Sequence, residues 1–261
     1  MDPILLPVVI YAPGRRIVEF SIKMDMSQDT LDNVTDLFDS FGASMVIGLM
    51  MTTPKNRRTI EIFSDFTDAS VSLDEFINIL RAVKGVFDVR VKEGLRKDLA
   101  LCQLHFPPMV MGEEAIIFRR SVLESWFKRL WEVFKTGAAT ILYESGVEAG
   151  KNAAKKLRKE LGLDGEELLY LIAGLGQSLG WGVFKIKELD MKACRATLNV
   201  DNLFECQILR EVTPEPASNF VRGYMVGVAQ EIWKRKDVVA EEVKCLAKGD
   251  HYCEIKIKTE K

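Results

Sequence analysis

Two cysteines near the C-terminus stand at equal distances from a turn. In Glu242-Val243-Lys244-Cys245-Leu246-Ala247-Lys248-Gly249-Asp250-His251-Tyr252-Cys253-Glu254, Cys245 and Cys253 each lie four residues from Gly249. Gly-Asp is good turn chemistry, so a hairpin about Gly249 sets the two thiols on opposing strands. Facing residues there sit about 4.5–5.5 Å apart, close enough to share a metal, to form a disulfide or simply to stack as two half-buried thiols. Two thiolates alone do not hold zinc, which takes about four ligands. Strand alternation turns Glu242 and His251 away from the pair unless a bulge intervenes. With Cys102, Cys194 and Cys206 the cysteines form an odd, dispersed set of five. That pattern predicts thiols or a metal site rather than a secreted disulfide framework.

Other chemistries find less support. The glycines of Gly174-Leu175-Gly176-Gln177-Ser178-Leu179-Gly180-Trp181-Gly182 leave a predicted helix and enter a strand, whereas a dinucleotide loop must leave a strand and open a helix. Only His105 and His251 are present, which disfavours a hydrolytic triad. The carboxylate pairs Glu166-Glu167 and Glu241-Glu242 are sequence neighbours whose side chains diverge, so neither is a ready acid/base couple. Lys+Arg 36 against Asp+Glu 38 gives a net charge of −2, against direct nucleic-acid binding. The 48% hydrophobic and 28% charged content excludes disorder. No stretch approaches the roughly 20 apolar residues of a membrane span, and Met1 to Pro7 lacks the basic and apolar regions of a signal peptide. A cytoplasmic protein is expected.

The elements that would position these residues fall into two sets, and 261 residues suit two domains. Val18, Phe20, Ile22 and Met24 alternate with Glu19, Ser21 and Lys23, the mark of a half-buried strand. Leu31, Val34, Leu37, Phe38 and Phe41 repeat at three and four on a helix that Gly42 ends. Strands follow at Ser44 to Met51 and Thr59 to Phe66, joined by a turn at Thr53-Pro54-Lys55-Asn56. Ser72 and Glu75 open a second helix as a capping box, Gly85 stops it, and Val86 to Lys92 is the last strand. This is the βαββαβ ferredoxin-like order, with both helices on one face of an antiparallel sheet. Residues 1–93 form this domain. Residues 94–114, with Pro107-Pro108, break both periods and read as a linker.

Residues 115–261 form the second domain. Ile116, Ile117, Val122, Leu123, Trp126, Phe127, Leu130, Trp131 and Phe134 make a broad apolar face on a long helix, expected as core. The small residues of Gly137 to Gly150 allow a backbone-close helix crossing. The basic run Lys151 to Lys159 continues as a solvated helix face, and Asp164 caps a further helix. Strands are expected at Gly182 to Leu189 and Lys192 to Val200, with an extended piece at Leu203 to Leu209. A helix runs over Ser218 to Lys234 after Pro214 and Pro216, and Val238 to Ala247 with Tyr252 to Lys258 closes the chain as a hairpin.

The first domain looks like the ACT-like regulatory domains, which share its topology and often bind small ligands or pair edge to edge. It has Met26-Ser27-Gln28-Asp29-Thr30 where amino-acid-binding members carry a glycine, so a dimerisation or docking role is the alternative. The C-terminal hairpin resembles the 4-vinyl reductase domain family, whose members end in a glycine-rich helix, then E-x-x-C, then G-D-x-x-C. The matching segments are Asn219-Phe220-Val221-Arg222-Gly223-Tyr224-Met225-Val226-Gly227, Glu242-x-x-Cys245 and Gly249-Asp250-His251-Tyr252-Cys253. Leu142-Tyr143-Glu144-Ser145-Gly146 and Asn202-Leu203-Phe204-Glu205 are similar to further segments of it, and the resemblance covers about residues 115–258.

This resemblance implies an α/β domain related to vesicle-tethering subunits that binds a small, often hydrophobic molecule. In its aromatic-sensing members zinc is held by a Cys ahead of the glycine-rich helix, the Glu and the two hairpin Cys. By position Glu242, Cys245 and Cys253 are the matching ligands. Ser218 stands where the first Cys would be, with Cys206 or His251 as substitutes. The same sensors place a Trp where this chain has Val200. The implied pocket of Trp126, Trp181, Val200, Phe204 and Tyr224 is therefore more purely apolar, suited to a greasy or acyl-like ligand, unless these residues are filled core. The expectation is a non-enzymatic, homodimeric sensor or regulator. The alternatives are an interaction protein with no ligand and, more distantly, a protein acting on a tetrapyrrole vinyl group.

Overall fold

The computed structural model describes residues 3–53, 57–213 and 215–260. Met1, Asp2, the expected turn residues Pro54, Lys55 and Asn56, Pro214 and Lys261 lie outside the described residues. The fold is α+β with antiparallel sheets, and the chain divides into two compact units, Met1–Ile116 and Ile117–Lys261.

The first unit runs β1 (Val9–Tyr11), β2 (Ile17–Met24), α1 (Gln28–Ser40), β3 (Ser44–Thr53), β4 (Arg57–Asp65), α2 (Leu73–Ala82), β5 (Val86–Glu93), β6 (Leu99–Leu101), β7 (Met109–Val110) and β8 (Glu113–Glu114). Its main sheet has the order β3-β4-β2-β5. Val18, Phe20, Ile22 and Met24 of β2 and Ile60 and Ile62 of β4 share one core with Val34 and Phe38 of α1 and Phe76 and Leu80 of α2, so both helices cover one face. Phe38 and Phe76 meet edge to face at 4.9 Å between ring centroids, a geometry that adds about 1 kcal/mol to the burial itself. The Ser72 hydroxyl accepts the Glu75 N–H at 3.2 Å, capping α2 as its sequence requires.

The opposite face departs from expectation. β2 is buried on both sides, with Glu19 and Ser21 fully enclosed, instead of half-buried. Residues 94–114 are the reason, because they fold back into this unit rather than linking away from it. β6 pairs with β1, and Ala100 packs with Ile17 and Phe63 in a second small core. Those apolar side chains lie on the far face of the sheet, and burying them favours folding at about 25 cal/mol per Å². Past β6 the chain is pinned by Glu19, whose carboxylate accepts the Gln103 N–H at 2.9 Å and the Leu104 N–H at 3.1 Å. Burial, reinforced by the neighbouring Glu19, pushes the Glu61 carboxyl up to about 8.

Asp65 closes the end of β4. Burial alone would raise its pKa, but the Thr67 hydroxyl and amide and the Arg15 guanidinium at 2.5 Å together hold it below the ordinary aspartate value of 3.8. A depressed acid contributes stability above its unfolded pKa and loses it as pH falls through the folded one. Asp65→Asn is therefore expected to cost about 1–2 kcal/mol at neutral pH. Denaturant titrations at pH 7 and pH 3 should show the variant and the parent converging in acid.

The second unit runs α3 (Arg120–Phe134), α4 (Gly137–Leu161), α5 (Gly165–Ser178), β9 (Val183–Asp190), β10 (Arg195–Asp201), α6 (Phe204–Leu209), α7 (Asn219–Trp233), β11 (Val238–Lys244) and β12 (Cys253–Thr259). Its sheet has the order β11-β12-β10-β9. Val147 and Ala154 of α4, Leu168 and Ile172 of α5 and Met225, Val226 and Ala229 of α7 pack on Leu198, Ile255 and Ile257 of the sheet. Helices α4 and α7 cross with glycine against backbone. A methyl group on Gly146, Gly150, Gly223 or Gly227 would overlap the main-chain carbonyl of Phe220, Tyr224, Tyr143 or Val147 respectively. The glycines after α5 end that helix: Gly180 takes a φ of +80°, and β9 begins at Val183.

Two expectations for this unit are corrected. Leu203 to Leu209 is helical rather than extended, because Leu203, Cys206 and Leu209 recur at three-residue spacing and all three are buried. Helix α3 is mainly exposed instead of core. It buries only Phe127, half-buries Leu123, Leu130 and Trp131, and leaves Val122, Trp126, Val133 and Phe134 in solvent. Among the described residues no helix is long and apolar enough to cross a membrane.

Candidate metal centre and aromatic cluster

The hairpin places its cysteines as the symmetry about Gly249 requires. Lys244 pairs with Glu254, so the next step along both strands brings Cys245 to Cys253. Gly249 takes a φ of +99°, a left-handed turn that a side chain would strain. The Cys245 N–H is held by the Asp250 carboxylate at 2.8 Å, which fixes the loop. Between Glu242 and Lys244 the register slips by one residue, making Val243 a bulge. That extra residue turns Glu242 onto the face of the cysteines, where plain alternation would have turned it away.

Helix α6 supplies the fourth group. Cys206 Sγ lies 3.5 Å from Cys245 Sγ and 3.5 Å from Glu242 Oε1. One ligand atom each from Cys206, Glu242, Cys245 and Cys253 lies within 4.8 Å of all the others, and all four residues are buried. The edges of a zinc tetrahedron with bonds of 2.0–2.3 Å measure about 3.5–3.8 Å, so this donor set could hold one such ion. The three thiols are free, with Cys206 and Cys245 in contact at 3.5 Å instead of the roughly 2.05 Å of a disulfide. Main-chain donors already point at the cluster: Ala217 N–H to Cys245 Sγ at 3.4 Å, Leu246 N–H to Cys253 Sγ at 3.4 Å and Ser218 N–H to Glu242 Oε2 at 3.0 Å. His251, the other substitute, is exposed and outside the cluster. Ser218, in the position of the expected first ligand, contributes its amide instead.

The thiols cannot all ionise unaided. Hydrogen bonds from Cys206 and Cys253 draw Cys245 down to about 2, while the bond to Cys245 drives Cys206 strongly up. Glu242 is raised by burial and then by the Cys245 charge. Next to it Glu205, fully buried, accepts the Phe220 N–H at 2.8 Å and the Val221 N–H at 3.0 Å. Burial raises this carboxyl to about 8 while those two bonds hold it back. The start of α7 thus spends its free amides on two acids and a thiol.

Four of the five expected pocket residues come together, but as packed side chains, three of them rings. Trp181 lies 5.0 Å from Tyr224, 5.7 Å from Phe220 and 6.3 Å from Phe204, centroid to centroid, and Phe204 lies 5.8 Å from Phe127. Val200 is fully buried in the same core as Cys206, Cys245 and Cys253. Trp126 is the exception. It is 56% exposed, and its neighbour Phe127 takes the inward position. Phe127 and Phe220 are cluster members that the resemblance did not single out. Two open depressions, of about 670 Å³ beside Glu188 and Lys192 and about 390 Å³ beside Asn33 and Lys84, include none of the five.

No family model matches the chain, and no curated protein does. Among solved structures the chain is similar to the phenol-responsive sensory domain of the transcription activator PoxR, solved with phenol. Identity is 17% over 59% of this chain and 84% of that one, with a TM-score of 0.51, a likeness of fold alone. A vinyl-4-reductase family protein from Methanocaldococcus jannaschii is 21% identical over 57% of this chain and 85% of that one, with a TM-score of 0.39. The ACT domain of the GTP pyrophosphokinase of Chlorobium tepidum is 15% identical over 30% of this chain and all of that domain, with a TM-score of 0.26.

Proposed function

We propose that this chain is a non-enzymatic sensor in which the second unit binds a small hydrophobic molecule and zinc braces the binding region. Cys206, Glu242, Cys245 and Cys253 hold the ion, which supplies cross-linking rather than chemistry, since all four positions of a tetrahedron are taken by protein. The observation that carries the reading is the run Phe204-Glu205-Cys206. Consecutive residues of α6 enter the aromatic cluster, cap α7 and join the thiol cluster. A guest that displaces the Phe204 ring therefore acts on all three at once. The guest enters where Phe127, the one buried residue of α3, covers Phe204. The sensory-domain fold of the phenol-responsive PoxR domain agrees with this use of the scaffold.

The ACT-like first unit receives or passes on the signal by pairing with a second copy. Its edge strand β3 exposes Met45, Val46, Leu49, Met50 and Met51, and unpaired strand edges are templates for pairing.

A thermal-shift and native mass spectrometry screen with phenols and medium-chain fatty acids tests the reading. A ligand at 100 times its Kd adds about 2.7 kcal/mol, which raises the melting temperature by several degrees, and Trp181→Ala is expected to abolish the shift. If no compound shifts the protein or travels with it, the second reading gains. In that reading the exposed Val122, Trp126, Val133 and Phe134 of α3 dock a protein partner.

A further inference from the structure

We propose that the first unit carries a second, unrelated metal site, in which Glu19, Glu61 and Cys102, with His105 beside Glu61, bind one zinc-class divalent ion between the sheet and the segment that roofs it. Alternation on β2 and β4 sends Glu19, Ser21 and Glu61 to the face away from the helices, where Ser21 pairs with Glu61 across the strands. The roofing segment places Cys102 and His105 over them. Cys102 Sγ and one oxygen each of Glu19 and Glu61 lie within 4.8 Å of one another. His105 Nε2 stands 2.7 Å from Glu61 Oε2.

Glu61 is the observation that asks for a ligand. Its side chain is 3% exposed, and beyond the ion-pair contact with His105 neither carboxylate oxygen has a hydrogen bond of acceptable geometry among the described residues. Glu19, by contrast, is satisfied by the Gln103 and Leu104 amides, which orient it. His105 Nε2 carries at most one hydrogen and lies 2.8 Å from Ser21 Oγ as well, so it cannot serve both neighbours. Arg90, across from Ser21 on β5, donates through Nη2 to Ser21 Oγ at 3.5 Å and pairs through Nε with Asp88 Oδ2 at 3.7 Å. Lys23 is turned to Asp88 at 3.4 Å. A buried acid short of well-aligned donors destabilises the fold, and a cation among these groups relieves that cost. Thiolate and imidazole beside two carboxylates favour zinc over magnesium or calcium, which take oxygen ligands alone. His105, 31% exposed, is the side from which the ion enters.

The full-length chain is stripped with a chelator, re-equilibrated with zinc alone, and its metal content and melting curve are compared with those of Glu61→Gln and Cys102→Ala. The parent should bind one zinc more per chain than either variant, and added zinc should raise the melting temperature of the parent's first transition but not theirs. Magnesium should do neither. Because the readout is a difference between proteins that keep Cys206, Cys245 and Cys253, it is independent of whether the second unit binds zinc. Equal zinc content in parent and Glu61→Gln overturns the proposal, and a metal-independent rise in the stability of Glu61→Gln assigns the pair to proton sharing instead. Glu61→Gln removes a buried acid and keeps its shape, so it is expected to fold; Cys102→Ala guards against a failure of that variant.

Discussion

Cys245→Ser is expected to release one zinc per chain and to lower the melting temperature of the second unit by more than about 10 °C. The size follows from what a structural ion contributes. Zinc binding in small domains supplies about 10 kcal/mol or more of folding free energy, and half of that, at about 3 °C per kcal/mol for a unit of this size, exceeds the stated shift. Cys245 is the most connected of the four proposed ligands, touching Cys206, the Ala217 amide and, through its own amide, Asp250. If the three thiols are only small apolar groups stacked together, the same change buries a hydroxyl for about 1–3 kcal/mol and leaves the metal content unchanged. Glu242→Gln should weaken zinc binding without abolishing it, since three thiolates remain. Cys194→Ser, at a half-buried cysteine outside the cluster whose thiol donates to the Met191 carbonyl, should alter neither quantity. Metal analysis beside calorimetry separates these outcomes, and an unchanged zinc content in Cys245→Ser would remove the bracing role from the proposed sensor.

How far the sequence carried this site depended on what kind of signal each residue left. Cys245 and Cys253 were legible because equal spacing about a turn glycine is a local property, and the register obeys it. Glu242 was not legible from alternation, because a single bulged residue, Val243, reverses its face, and nothing in the residue types Val243-Lys244 marks a bulge. Cys206 was hidden by the reading of its segment as extended. The three-residue spacing of Leu203, Cys206 and Leu209 was the available sign, but six residues are too few for a period of 3.6 to separate cleanly from one of 2. In the first unit the two helices and the strands of the main sheet followed from periodicity, since each element buries one face in a common core. Residues 94–114 did not, because their order depends on pairing with β1 and on Glu19, far away in sequence, and not on any local pattern. Trp126 and Phe127 differ by one step of about 100° on α3, a choice that periodicity leaves open when both neighbours are aromatic.

Gly150→Ala is the second large effect expected, and its sign runs against helix propensity. In an exposed helix, alanine in place of glycine stabilises by about 1 kcal/mol. At Gly150 the added methyl meets the carbonyl of Tyr224, a main-chain atom of α7 that has no rotamer to adopt, so α4 and α7 must separate. Overpacking in cores already costs about 1–3 kcal/mol where side chains can yield, and this crossing should exceed that range because they cannot. The effect reaches the site as well. The amides of Ala217, Ser218, Phe220 and Val221 at the start of α7 are the donors to Cys245, Glu242 and Glu205, and they move with the helix. Gly150→Ala is therefore expected to weaken zinc binding from a distance, without touching a ligand. Gly174→Ala on α5 is the internal control, since a methyl there meets nothing within 4 Å and should be neutral or mildly stabilising. Urea unfolding and zinc affinity measured on both variants decide the matter: equal behaviour of the two would mean that the helices do not cross backbone to backbone, and that the amides of α7 are not held in place by α4.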